Sequence, residues 1–530
     1  MRPQEDEFFP ALGEYAGEIL VRKAGVEAEL LGRVAAGLMR ALAEGAVCLP
    51  LDSLGNPDEL RTRLSTLGIV GGPGDEKPLV IDGPDIYLQR YHAYECALAA
   101  RLLALAGVEH TVPSAVDGEL ARILSRGLGI ITGGPGTGKT SIARRILALL
   151  APPDRPLSVM LAAPTGKAAA RLRESVEPLL ADRPLLQLAH GTVHRLLGPK
   201  AESAFFRHDA RNPLACDVLV LDEASMMDLP LMAKLLDAVD PAGTRLLILG
   251  DPGQLPSVHC GSVLADIVAA GEGGGLLAEC QLRLLFNHRS GEEPRLAALI
   301  DAVRIGDADT VLALLRGAGQ LALVPSPGPQ DMPAFVEREL GGLMDSLHRC
   351  EAGAAQALEL AASRRVVCML RQGPCGAESV NALALRLARQ RAYYRQDARF
   401  FHGMPLIVTR NCHRQNLFNG DSGVVFEREG QLSAFFAPDD EQGLPLRLLP
   451  QYEPAFAITV HKGQGSEYRD VTILLPPVDH ALLTRELFYT AVSRARRSVR
   501  VAGGAELVRL ALGRTLRRAS GLARRLSVAG

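Results

Sequence analysis

The stretch GIITGGPGTGKTSIARRILALL, Gly129–Leu150, changes character twice. It opens as an apolar, β-branched run, passes through Gly133, Gly134, Gly136 and Gly138, and leaves with apolar residues at helical spacing. Strand, glycine loop and helix, in that order and with the spacing G-x-x-x-x-G-K-[ST], make a phosphate-binding loop. Glycines let backbone N–H groups close round phosphate oxygens, and the helix N-terminus adds the positive end of its dipole. The candidate cradle is therefore Gly133, Gly134, Pro135, Gly136, Thr137, Gly138, Lys139, Thr140 and Ser141. Lys139 is placed to reach the β and γ phosphates of a nucleotide, and Thr140 to hold Mg²⁺.

Outward from this loop, short apolar runs alternate with helical segments, the pattern of a parallel α/β sheet. Gly129–Thr132, Ser158–Ala163, Val218–Leu221 and Arg245–Leu249 read as its strands. Val218–Leu221 runs directly into Asp222 and Glu223; beside a phosphate loop, the first suits Mg²⁺ and the second a base that orients attacking water. Arg245–Leu249 ends in a loop with Asp251 and Gln254. Gln254 is there either as a turn residue or as a sensor of the γ-phosphate. A second α/β set follows at Val366–Leu370, Phe456–Val460, Val471–Leu475 and Val499–Ala502, with a hairpin-like stretch containing NGDSG inserted at about 392–450. Before all this, Leu31, Val34, Leu38 and Leu42 recur at helical spacing, so residues 1–112 are expected to be a helical domain without chemistry of its own.

Composition sets the outer bounds. At 530 residues the chain is too long for one core and should divide into about three or four domains. No apolar run of about 18 residues suggests a membrane span. The stretch MRPQEDEFFP lacks the order of a signal peptide, and nine dispersed cysteines fit a reducing compartment, so the expected location is the cytoplasm. A net charge of −2 neither supports nor excludes a nucleic-acid groove.

Further motifs separate this chain from other P-loop NTPases. AAPTGKAAARL (Ala162–Leu172), HGTVHRLLG (His190–Gly198), FNHRSG with Arg289, TVHKGQGSEY (Thr459–Tyr468) and LFYTAVSRAR with Arg494 occur in the order of the superfamily 1 helicase motifs. Over nearly its whole length the chain resembles the RecD family, the α subunits of bacterial RecBCD (exonuclease V) complexes. That resemblance implies two RecA-like lobes with ATP between them, a helical N-terminal partner-docking domain (1–112), a first lobe (113–285) and a second lobe (286–530) with a small SH3-like β module. It makes Lys139, Glu223, Gln254 and the arginine fingers Arg289 and Arg494 the hydrolytic set, with Mg²⁺ on Thr140 and Asp222. It places Thr165, Lys167 and His194 on single-stranded DNA from the first lobe, and Thr459, His461 and Lys462 from the second. Glu467 would link DNA contact to the nucleotide. It further implies 5′-to-3′ movement on the 5′-ended strand, RecB-like and RecC-like partners, and nuclease chemistry on another subunit. The length of the N-terminal region, shorter than in stand-alone relatives, favours the subunit form.

Two positions depart from the family pattern: Gly463 stands where HKSQG has serine, and SAVDGELARILSRGLGI offers no glutamine to read adenine. An RNA-directed helicase and an assembly subunit with a vestigial ATPase are the alternatives to a DNA-stimulated helicase.

Overall fold

The computed structural model describes residues 28–112, 116, 118–200, 203, 205–285, 293–317, 319–394, 398–412, 414–415 and 417–528. Helix Ala28–Ala43 buries Leu30, Leu31, Val34 and Leu38, as their spacing dictates. The N-terminal region is nevertheless not purely helical, which corrects the expectation above. Strands β1 (Leu49–Pro50), β2 (Val70–Gly71), β3 (Leu79–Asp82) and β4 (Asp85–Leu88) form a sheet of order β1-β4-β3-β2. Its centre is written in LVIDGPDIYL, two apolar runs flanking Gly83 and Pro84. Gly83 turns the chain at φ 58°, and β3 and β4 then pair antiparallel with Asp82 opposite Asp85. Two strands of only four residues, set among long helices, are easily overlooked as helix linkers.

The first large sheet comprises β5 (Leu128–Gly133), β6 (Leu157–Ala163), β7 (Leu186–Thr192), β8 (Val218–Leu221), β9 (Arg245–Gly250) and β10 (Gln281–Leu284). They are all parallel, in the order β10-β5-β9-β8-β6-β7. Side chains alternate between its faces. Leu128, Ile130, Leu219, Leu221, Leu246 and Ile248 feed one core, while Ile131, Val159, Val220, Leu247 and Leu249 feed the other. Burial on both faces is why these strands read as unbroken apolar runs. The first core also contains Leu98, Leu102 and Leu105 of helix Gln89–Gly107, so it runs across the boundary expected near residue 112.

Strands β11 (Leu321–Val324) and β12 (Arg364–Cys368) begin a second parallel sheet. An antiparallel module interrupts it: β13 (Pro405–Val408), β14 (Ser422–Arg428), β15 (Gln431–Phe435), β16 (Leu444–Pro445) and β17 (Tyr452–Pro454), ordered β16-β15-β14-β13-β17. The chain returns as β18 (Ala457–Thr459), β19 (Tyr468–Leu474) and β20 (Ala495–Ala502), completing the order β11-β20-β19-β12-β18. Two parallel sheets, each with functional loops at the carboxyl ends of its strands, thus give a two-lobed α/β protein. Among the described residues no helix is long and apolar enough to cross a membrane.

After β20 the helix Ala505–Gly513 still packs in the second-lobe core, and only then does the chain dock back on the first lobe. Leu522 and Leu526 of helix Leu522–Val528 join the core under the first sheet. The anchor is Glu95, 0 % exposed, whose carboxylate accepts from Tyr87 Oη (3.2 Å), Ser520 Oγ (2.8 Å), Gly521 N (2.9 Å) and Arg525 Nε (3.0 Å). Removing one partner of a buried ion pair strands the other charge and costs about 3–5 kcal/mol. Glu95→Ala is accordingly expected to lower the denaturant midpoint and to expose the C-terminal segment to limited proteolysis; an unchanged midpoint and cleavage pattern would contradict this anchoring role.

Candidate functional site

The phosphate loop sits between β5 and the helix Lys139–Leu150. Gly138, at φ 83°, occupies the left-handed region immediately before the helix, a conformation that costs a side-chain-bearing residue about 1 kcal/mol. The loop is tight at its other end too, since a Cβ on Gly133 would lie 2.5 Å from Thr137 Oγ1. Lys139 folds over the opening, its Nζ donating to the carbonyl oxygens of Gly133 (2.7 Å) and Gly134 (3.0 Å). An ammonium held on neutral carbonyls beside a ring of backbone donors is ready to exchange them for phosphate oxygens. A cavity of about 490 Å³ opens beside the loop, lined by Gly133, Gly134, Thr137, Asp251, Arg304 and Tyr489 among others. The residues therefore fit a nucleoside triphosphate.

At the end of β8, Asp222 Oδ1 accepts from the backbone of Glu223 (2.8 Å). Burial, then the neighbouring Glu223 carboxylate, pushes the Asp222 carboxyl up to about 6. Such a group is stabilised as an anion by a cation, so Asp222 with the Thr140 hydroxyl fits Mg²⁺. Glu223 itself has φ 53° and ψ 39°, rare for a residue with a side chain and a form of strain that collects at functional sites.

The exit loop of β9 carries the densest polar network. Asp251, 3 % exposed, accepts from Gly253 N (3.0 Å), Gln254 Nε2 (3.1 Å) and, across the lobe boundary, Tyr489 Oη (2.9 Å). Gln254 then presents Oε1 to Arg494 Nη2 at 3.1 Å. Arg494 is also buried, and its other N–H groups reach Thr490 O (3.0 Å), Ser466 O (3.3 Å), Gly463 O (3.5 Å) and Ser493 Oγ (3.0 Å). A guanidinium so surrounded has to release a protein acceptor before it can meet a phosphate. Arg289 lies outside the described residues.

The loop after β18 lies against the first lobe. Lys167 Nζ donates to Ser466 Oγ (2.9 Å), and burial pulls its ammonium below the usual lysine range. Thr165 caps the helix Gly166–Val176 by accepting from Ala168 N (3.3 Å), and its Oγ1 would lie 3.9 Å from a Cβ on Gly465. Arg171, one helical turn beyond Lys167, donates to Gly465 O (2.9 Å) and pairs with Glu467 (3.5 Å). Glu467 also pairs with Arg496 (3.1 Å), so guanidinium groups from both lobes meet at its carboxylate. Lys462 pairs with Glu453, and Thr459 Oγ1 accepts from Lys462 N (3.4 Å). Burial draws the His461 imidazole below its usual range, which keeps it neutral. His194 is exposed, edge-on to Phe206 at 5.9 Å. The structure thus gathers Thr165 and Lys167 against the 459–467 loop, and Gln254 against Arg494.

Tyr489, Arg171 and Ser466 went unmarked in the sequence although each falls inside a motif. Helical spacing was the available signal for Arg171, which follows Lys167 by four residues; Tyr489 lies on the helix Arg485–Val492, and Arg494 in the turn after it.

A family model described as an AAA domain matches residues 118–260, and one described as a UvrD-like helicase C-terminal domain matches residues 454–502. The RecBCD enzyme subunit RecD of Mycolicibacterium smegmatis is 37% identical over 93% of this chain and 93% of its own length. Its counterpart in Mycobacterium tuberculosis is 38% identical over 97% of this chain and 94% of that protein. A crystal structure of Pif1 helicase from Bacteroides in complex with ADP-AlF3 and ssDNA covers 74% of this chain and 92% of that one, at 15% identity and a TM-score of 0.40. With such identity to the mycobacterial proteins along almost the entire sequence, the chain belongs to the family of RecBCD enzyme subunits named RecD.

Proposed function

We propose that this chain is an ATP-dependent DNA helicase, the RecD-type subunit of a RecBCD (exonuclease V) complex, moving 5′ to 3′ along the 5′-ended single strand beside RecB-like and RecC-like subunits. The observation that carries the reading is the contact of Gln254 with Arg494, which joins the exit loop beside the phosphate cradle to the second lobe.

The roles follow from position. Lys139 and the loop N–H groups hold the phosphates of ATP. Thr140 and Asp222 hold Mg²⁺, which when bound neutralises charge on the phosphates. Glu223 orients the attacking water, and Gln254 reports the γ-phosphate. Arg494, and Arg289 from the second lobe, serve as arginine fingers, each worth about 10³–10⁵ in turnover. Thr165, Lys167 and His194 on one lobe, with Thr459, His461 and Lys462 on the other, hold single-stranded DNA through its backbone. Such contacts give affinity without sequence preference, as a translocating protein needs. Glu467, between Arg171 and Arg496, links the grip on DNA to the spacing of the lobes. We further read the β13–β17 sheet as the family's SH3-like module, the N-terminal region as the partner dock, and the cytoplasm as the site of action.

Lys139→Ala is expected to abolish ATP hydrolysis while leaving the circular dichroism spectrum and unfolding midpoint in place; undiminished turnover would rule out the nucleotide reading. Polarity is checked with duplexes bearing a 5′ or a 3′ single-stranded tail, unwound by the chain alone and with co-expressed partners. The chain alone is expected to open the 5′-tailed duplex, and preference for the 3′ tail would contradict the assigned direction.

A further inference from the structure

We propose that Tyr489 is a positioning residue that makes the β9 exit loop and the phosphate cradle responsive to the second lobe, an inference that rests on the nucleotide reading above. Tyr489 lies on the second-lobe helix Arg485–Val492 and is 1 % exposed, its ring packed in the second-lobe core and its hydroxyl reaching Asp251 of the first lobe. A Cβ on Gly134 of the cradle would sit 3.1 Å from its hydroxyl oxygen, and one on Gly253 would sit 3.5 Å from its ring carbon Cε1. A side chain at Gly134 would crowd the hydroxyl, so the cradle leaves room for it by being glycine there, while Gly253 packs at ordinary contact distance from the ring.

The hydroxyl gives the contact direction. It donates to Asp251 Oδ2 at 2.9 Å, and burial together with the Asp251 charge keeps the phenol protonated at every working pH. The same Oδ2 accepts from Gln254 Nε2 at 3.1 Å. With its nitrogen fixed on Asp251, the Gln254 amide has its oxygen left to face Arg494, which it does at 3.1 Å. Tyr489, Asp251, Gln254 and Arg494 form a chain that leaves the second lobe and returns to it. Tyr489 acts through its partners: it fixes the carboxylate that fixes the amide that would sense the γ-phosphate.

A tyrosine that merely filled the core would need its ring and not its hydroxyl, so Tyr489→Phe separates the two roles. The measurement is kcat and KM for ATP at saturating single-stranded DNA, on the full chain co-expressed with its partners, alongside the unfolding midpoint. A hydrogen bond to a charged group is at stake, so kcat is expected to fall about tenfold or more, with KM for ATP changing less than about twofold. Asp251→Asn, which preserves volume, is expected to lower kcat similarly. The double variant should be no slower than the slower single one, because the Tyr489 hydroxyl acts only through the Asp251 carboxylate. Should Tyr489→Phe prove unstable, Asp251→Asn carries the same expectation. Wild-type kcat in Tyr489→Phe, or effects that multiply in the double variant, would overturn the proposal. Turnover surviving in Lys139→Ala would instead sink the underlying nucleotide reading; an inactive Lys139→Ala beside a fully active Tyr489→Phe would sink only this inference.

Discussion

Asp251 is a carboxylate taken out of water, and the junction between the lobes is organised round meeting its demand for donors. A buried anion without partners costs several kcal/mol, so each of its bonds is in effect obligatory. Two donors come from its own loop, Gly253 N and the Gln254 amide, and the third is the hydroxyl of Tyr489 on the other lobe. The position of a second-lobe helix is thereby written into the first lobe's loop chemistry. Arg494 imposes a similar demand from the opposite side, since five donors on a buried guanidinium need acceptors and Gln254 supplies one of them. Shifting either lobe leaves groups on both unsatisfied at once. Charge supplied by a ligand at the cradle therefore has a route to the relative position of the lobes that passes through bonds, not through general compliance.

Much of the fold was legible because the central strands of a doubly covered parallel sheet must be continuously apolar. Val218–Leu221 was readable to the residue; the segments read at Ser158–Ala163 and Arg245–Leu249 differ from β6 and β9 by one residue at one end, and Gly129–Thr132 from β5 by one at each end. The strands that escaped notice are edge strands. β7 (LQLAHGT) mixes buried and exposed positions, while β10 and β11 have four residues each and pair on one side only. Half-solvated β7 and β10 mix polar residues into their runs, and β11, though apolar (LALV), is too short to stand out. The N-terminal sheet was missed for a related reason. Its strands are brief, and the long helix that follows dominates the periodicity.

The candidate site was legible to a different depth. Phosphate binding is local chemistry: nine consecutive residues hold the cradle, and a strand ending in Asp222 and Glu223 is visible by itself. The coupling is not local. Tyr489 and Asp251 are 238 positions apart, Arg494 and Gln254 240, and Arg171 and Gly465 294. No spacing rule reaches so far, and each residue seen alone has an ordinary explanation as a core tyrosine, a turn glutamine or a surface arginine. Resemblance to a family supplied the role of Arg494 but not its saturation by protein acceptors, which only three-dimensional structure reveals.

The two places where distant parts of the chain meet are built from different forces. Between the lobes Leu255 is buried among second-lobe core residues, and the rest of the seam is polar: Gln254 with Arg494, Tyr489 with Asp251, Lys167 with Ser466, Arg171 with Gly465, and Leu255 N with Thr490 Oγ1 (2.8 Å). The bonds to a charged group are worth about 1.5–3 kcal/mol net and the Leu255–Thr490 bond about 0.5–1.5, but water or phosphate can take the place of either partner. Under the C-terminal segment, by contrast, Leu522 and Leu526 are buried in the first-lobe core, each worth about 1.5–3 kcal/mol that no small ligand replaces. Arg518 adds bonds to the carbonyls of Ser257 (2.8 Å), His259 (2.9 Å) and Gly261 (3.1 Å), on the same loop that starts at Asp251. A chain tied to both lobes cannot follow both when they separate, so one attachment has to yield. The polar seam, whose partners water or phosphate can replace, is the one to yield, and the apolar dock holds. Opening is thus confined to the face that carries the cradle and the 459–467 loop, where a nucleotide and a strand would be felt together.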